Sequence, residues 1–152
     1  MVKKRNSLSN DLVRVAGVHY VVSQLSMRGL IAMPTIRNTS GIDILVTDPS
    51  TNASANLQVK SSQNTVTFWP TSMPDRCLRG KNCFYVFVRY LPKEKKFQAF
   101  LQDSEKVVKR VTKIVRYHKQ KGRKVFPNWP LPKYLGSQRK LEEKWNNWRP
   151  PL

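Results

Sequence analysis

From Ile42 onward the chain alternates. Ile42, Ile44 and Val46 fall on one face of an extended segment, and Asp43, Leu45 and Thr47 fall on the other. Asp48-Pro49-Ser50-Thr51-Asn52 then supplies turn chemistry, with Asp48 read as a turn residue bonding its own backbone rather than as a ligand. Alternation resumes over about Ala53 to Lys60, with Ala55, Leu57 and Val59 on one face and Asn56, Gln58 and Lys60 on the other. The stretch from Gly41 to Ser62 is thus two strands joined by a turn, apolar enough to lie near the middle of a sheet. Yet Asp43 and Lys60 are charged. A buried charge is costly unless it is paired, hydrogen-bonded or bound to a metal. An acid on one strand facing Gln-x-Lys on its neighbour therefore marks a candidate site, with a structural ion pair as the plain alternative.

The same reading extends to the rest of the chain. Met1 to Asn6 is a basic, frayed start. Over about Asn10 to Arg28, the residues Leu12, Val15, Ala16, His19, Val22 and Leu25 recur at steps of three and four, which predicts a helix stopped at Gly29. His19 reads as packed or partly buried, and Gly17 in mid-helix points to a close neighbour. Leu30 to Thr35 is a first strand, and residues 37–41 form a polar loop. Thr65 to Trp69 is a further strand halted by Pro70, and Thr71 to Asn82 is loop-like. Cys83 to Tyr90 is apolar enough to be a central strand, with Phe97 to Leu101 pairing back on it. Ser104 reads as the N-cap of a helix whose stripe is Val107, Val108, Val111, Ile114 and Val115. This order predicts a mixed α/β fold in one domain spanning 1–152. Its core covers about 10–120, and an irregular basic tail rich in Trp and Pro covers about 121–152. Trp129, Trp145 and Trp148 are expected to pin that tail to the core.

Charge sharpens the picture. The chain carries 28 Lys and Arg against 9 Asp and Glu, a net charge of +19. That balance calls for a polyanionic partner, with nucleic acid ahead of a membrane surface. It is also uneven, because residues 1–60 carry a net +4 and residues 61–152 a net +15. Lys106, Lys109, Arg110, Lys113, Arg116, Lys119, Lys121, Arg123 and Lys124 follow one another without an acid, the pattern of a phosphate-binding segment. Arg76, Arg79 and Lys81 form a second cluster of candidate contacts. There is no signal peptide and no apolar run of membrane-spanning length, so the expected location is cytoplasmic, with Cys77 and Cys83 reduced. A zinc site would need His19 or His118 to join those cysteines at no recognised spacing.

Gly41-Ile42-Asp43-Ile44-Leu45-Val46, with Leu57-Gln58-Val59-Lys60 following fourteen residues after Asp43, resembles the PD-(D/E)xK nuclease superfamily. The likeness is to small bacterial members whose second motif is Gln-x-Lys. Gly17-Val18-His19-Tyr20-Val21-Val22 and Asn82-Cys83-Phe84-Tyr85-Val86-Phe87-Val88 also look like that group, so the resemblance covers about residues 12 to 101. It implies a restriction-endonuclease-like mixed central sheet flanked by helices. It also implies hydrolysis of DNA phosphodiester bonds with Mg2+, or Mn2+ in its place, and a homodimer acting on double-stranded DNA. In that scheme Asp43, the amide of Gln58 and the backbone carbonyl of Val59 hold the metal, and Lys60 assists the attacking water. One departure weighs on activity: relatives often carry Glu just after the glycine matching Gly17, where this chain has Val18. The alternative functions are a catalytically weak or inactive DNA-binding protein on the same fold and, less consistent with Asp43 and Lys60, an RNA-binding basic protein.

Overall fold

A computed structural model describes residues 8–36 and 41–152, so the basic start and most of the polar loop before Gly41 lie outside the described residues. Helix α1 (Asn10–Met27) opens where the Ser9 side chain accepts from the Leu12 amide, satisfying one of the free N–H groups of its first turn. Strands β1 (Ile31–Pro34), β2 (Ile44–Thr47) and β3 (Ser54–Gln63) follow as an antiparallel meander. Next come β4 (Phe68–Pro70), a 3-10 turn at Pro74–Arg76, β5 (Cys83–Leu91) and β6 (Lys96–Asp103). Helix α2 (Ser104–Gln120), β7 (Asn128–Pro130) and α3 (Leu135–Asn147) complete the order. The main sheet runs β1-β2-β3-β5-β6, with β5 parallel to β3 and antiparallel to β6. This is the mixed α/β sheet flanked by helices that the alternation predicts.

The sheet is buried on both sides where β5 crosses it, which explains the unbroken apolar run from Cys83 to Val88. On one face Ile44, Leu57, Val86 and Leu101 pack against Val21 and Leu25 of α1 and Trp145 of α3. On the other, Tyr85, Phe87 and Phe100 pack against Val107, Val111 and Val115 of α2 and against Trp69 and Trp129. Gly17 is where α1 meets β3 most closely. A Cβ built there would lie 1.8 Å from the Ser61 hydroxyl, so only glycine lets the helix approach so near.

Three expectations change. The segment read as an irregular tail contains β7 and α3, and its tryptophans are core residues: Trp129, Trp145 and Trp148 are 3%, 1% and 7% exposed. The large apolar residues of α3 are only Leu135, Leu141 and Trp145, with Trp148 as its C-cap, too sparse to stand out from the charge around them. The strand at Thr65 to Trp69 is the shorter β4, which pairs with β7 outside the main sheet. Such a two-stranded ribbon offers Pro70 an edge, where its missing N–H costs nothing. Ser104 is the first residue of α2 rather than its cap, and its buried hydroxyl donates to the Gly80 carbonyl at 3.0 Å.

Arg28 joins α1 to α3, with its guanidinium 4.3 Å from the centre of the Trp145 ring. Trp145→Ala is expected to cost about 3–5 kcal/mol of stability in urea unfolding, the range for emptying a large buried aromatic site. A loss below about 1 kcal/mol, within the range of surface substitutions, would contradict a core role for α3.

Candidate active site

The candidate site forms where β2 stops and β3 continues. Asp43 lies immediately before β2; its amide donates to Leu57 at 2.8 Å and its carbonyl accepts from Thr35 at 2.9 Å. One residue pair further along, β3 has no strand partner on that side, and the Val59 amide donates to Oδ2 of Asp43 at 2.7 Å. The register that sets Ile44 opposite Leu57 also sets Asp43 opposite Gln58. Because side chains alternate, Gln58 and Lys60 share the face of Asp43, while Leu57 and Val59 are buried on the other. Gly41, at φ +67°, brings the chain past the end of the Gln58 amide, a conformation that disfavours side chains.

These residues border a cavity of about 440 Å³, with Ser61, Ser62, Trp69 and Pro70 on its walls. The close contact at Gly17 brings Asn10, Arg14 and Val18 to its rim. The position after Gly17 therefore does face Asp43 and Lys60, but it offers a valine instead of a carboxylate. His19 points elsewhere and is exposed rather than packed, because its neighbours Val13, Gly17 and Val21 form the buried stripe of α1. Asp48 is the turn residue expected: its Oδ1 accepts from the amide and hydroxyl of Ser50 at 2.9 and 2.6 Å. Those bonds, with Arg149 at 2.8 Å, hold its carboxyl below the usual range.

Electrostatically the site is strained. Burial pushes the Asp43 carboxyl up, against the opposing pull of the Val59 amide and of Lys60. Burial pushes the Lys60 ammonium down, against Asp43 and Cys77, with Arg14 adding repulsion. The two attract, but they form no ion pair within 4.0 Å, so the simple structural pair is not what holds them. The Lys60 ammonium has no hydrogen-bond partner among the described residues. No group of three or more His, Cys, Asp or Glu side chains capable of holding a metal occurs among those residues either. What the cavity does offer is oxygen. Asp43 has a second carboxylate oxygen, Gln58 has its amide oxygen, and the Val59 carbonyl lies on the same side of β3 as its amide. This set suits a hard divalent cation, though with a single negative charge.

The expected phosphate contacts are all exposed. Arg76 is in the 3-10 turn and Arg79 and Lys81 in the loop after it, on the segment that brings Cys77 near Lys60. Burial of Val107, Val108, Val111 and Val115 turns Lys106, Lys109, Arg110, Lys113, Arg116 and Lys119 of α2 to solvent. Lys121, Arg123 and Lys124 extend the row into the following loop. Helix α2 covers the sheet face that carries Tyr85 and Phe87, which pair in register with Gln58 and Lys60, so the basic helix and the cavity share one face. Lys106 is partly neutralised by Asp103 at 3.4 Å. No helix among the described residues is long and apolar enough to cross a membrane.

No family model and no curated protein matches the chain. Among solved structures it is similar to a bacterial homing endonuclease, I-Ssp6803I, with a TM-score of 0.53 at 14% identity and 91% of each chain covered. The two share a fold. At this identity the likeness shows the architecture of sheet and helices alone.

The geometry of the cavity makes a prediction about stability. A carboxyl with a raised pKa contributes most below its unfolded value, and that contribution is lost as pH rises through its folded value. An ammonium with a lowered pKa contributes most above its unfolded value, and that contribution is lost as pH falls through its folded value. Near neutral pH both groups are charged at a cost. Asp43→Asn with Lys60→Met is therefore expected to be more stable than the native chain by about 1 kcal/mol in urea unfolding. The gap should narrow in acid, where Asp43 is protonated anyway. A less stable double variant near neutral pH would contradict the strain.

Proposed function

We propose that the protein is a metal-dependent DNA endonuclease that hydrolyses phosphodiester bonds in the Asp43 cavity. The observation that carries this reading is a half-buried lysine without a protein partner beside an acid and an amide, in an open cavity on the basic face. A half-buried ammonium that no protein acceptor satisfies is suited to an anionic ligand. Lys60 would donate to a phosphate oxygen or to the attacking water and stabilise charge as it grows at phosphorus. Its lowered pKa lets it release and take up a proton nearer neutrality than an ordinary lysine. Asp43, Gln58 and the Val59 carbonyl would hold Mg2+, or Mn2+ in its place, which when bound supplies an acidified water and neutralises phosphate charge. Asp43 is kept in position by the Val59 amide, so it is oriented before any ligand arrives.

The exposed lysines and arginines of α2 and of the loop carrying Arg76, Arg79 and Lys81 would bind the DNA backbone, giving affinity without sequence information. Cutting both strands of a duplex calls for two such sites, which a homodimer would supply. A second reading is a DNA-binding protein that keeps the fold without cutting. Val18 and Gln58 favour it, since they leave Asp43 as the lone carboxylate of the cavity.

Supercoiled plasmid incubated with Mg2+ or Mn2+ separates the two readings. The native chain should nick or linearise it, and Asp43→Ala and Lys60→Ala should each lose roughly a hundredfold or more of that rate while still retarding DNA in a gel. Binding without cutting, equal in all three proteins, would establish the second reading instead.

A further inference from the structure

The ribbon of β4 and β7 has two unlike faces. Trp69 and Trp129 stand opposite each other in register and turn inward, 0% and 3% exposed. Alternation therefore sends the pair Phe68 and Pro130 outward, and Phe68 is 45% exposed. Phe126, in the loop before β7, meets Phe68 edge-on with ring centres 5.9 Å apart and is itself 44% exposed. The loop holds Phe126 firmly: its amide donates to Nδ1 of His118 at 3.2 Å, and its carbonyl accepts from the Asn128 side chain at 2.8 Å. A cavity of about 380 Å³ opens beside the two rings, bordered also by His118, Arg123, Lys124 and Asn128. Arg123 lies over the Tyr117 ring, 5.6 Å from its centre. From Lys106 to Leu141 the chain has no Asp or Glu to neutralise these cations.

Flat apolar rings set among unpaired cations fit a ligand that is itself flat, aromatic and anionic. We propose that Phe68 and Phe126 form a platform for an unpaired base of a DNA strand, one ring stacking on its face and the other meeting its edge, with Arg123 and Lys124 on its phosphates; this rests on the DNA reading above. Within a duplex each base is covered by its neighbours and shows only its edges, so the rings recognise a base that has left the stack. The placement gives the platform a role. Trp69 and Pro70 border the Asp43 cavity, and Phe68 precedes them on the same strand. Strand β4 is thus the wall between the two cavities, and a base held at Phe68 belongs to a nucleotide close to the scissile phosphate. The platform favours strands that are single, frayed or distorted next to the cut.

The test uses the full chain without divalent metal, a fluorescein-labelled oligothymidylate and a hairpin duplex of equal charge. Phe68→Leu with Phe126→Leu keeps apolar bulk on the ribbon but removes the π faces, whereas Phe68→Tyr with Phe126→Tyr keeps both. The Leu pair should weaken single-strand binding roughly tenfold or more while duplex binding stays within about twofold, and the Tyr pair should bind like the native chain. Arg123→Ala, outside the packed ribbon, should lower the slope of log affinity against log salt for the single strand by roughly 0.7. Native duplex binding with no difference between native and Leu variants, or an equal loss on both DNAs, would overturn the platform alone. A native chain that binds neither DNA would overturn the DNA reading itself.

Discussion

The site depends on one hydrogen bond, from the Val59 amide to the Asp43 carboxylate at 2.7 Å. Strand β3 runs on to Gln63 after β2 has ended, so it carries backbone donors that no neighbouring strand satisfies on that side. Asp43 takes the first of them with its side chain. In doing so it is drawn into a half-buried position that a carboxylate would otherwise avoid, and one of its oxygens is left facing the cavity. The same gap in the sheet lets α1 come down on Ser61 at Gly17 and carry Arg14 and Val18 to the rim. A structural need of the backbone and a chemical group for a ligand are thus served by the same side chain.

The two acids of the Gly41 to Ser62 stretch show how surroundings divide such roles. Asp48 is fully satisfied by Ser50 and Arg149, its carboxyl held low, and it closes the turn between β2 and β3. Asp43 and Lys60 are each displaced by burial in the direction of the neutral form and are joined by no ion pair. Sites that spend stability in this way are commonly functional, because the missing interactions are those a ligand would make.

Much of this was legible in the chain because strand alternation has a period of two and does not depend on distant contacts. Asp43, Gln58 and Lys60 could be placed on one face from their spacing alone, and the pairing of Ile44 with Leu57 agrees. Gly17 and the run from Cys83 to Val88 announced a close approach and a doubly buried strand for similarly local reasons. What escaped depends on partners far along the sequence. Trp145 stabilises α3 through contacts with Arg28 and the sheet, in a helix otherwise too polar to betray a buried side. The ribbon of β4 and β7 joins segments some sixty residues apart, so neither three-residue strand has a signal of its own. Phe68 and Phe126 read as ordinary apolar residues until that pairing turns them outward together. His19 fits the helical spacing of its neighbours, but the buried stripe passes through Gly17 and Val21, two positions either side of it.

Under the endonuclease proposal, the cavity between Asp43, Gln58 and Lys60 is where a metal ion would meet the DNA backbone. Crystals of the chain with bound DNA, soaked in Mn2+ and measured at the manganese absorption edge, test it most directly. The anomalous peak should lie in that cavity, between the Asp43 carboxylate, the Gln58 amide and a backbone phosphate. Bound DNA with manganese only at other places would contradict the account.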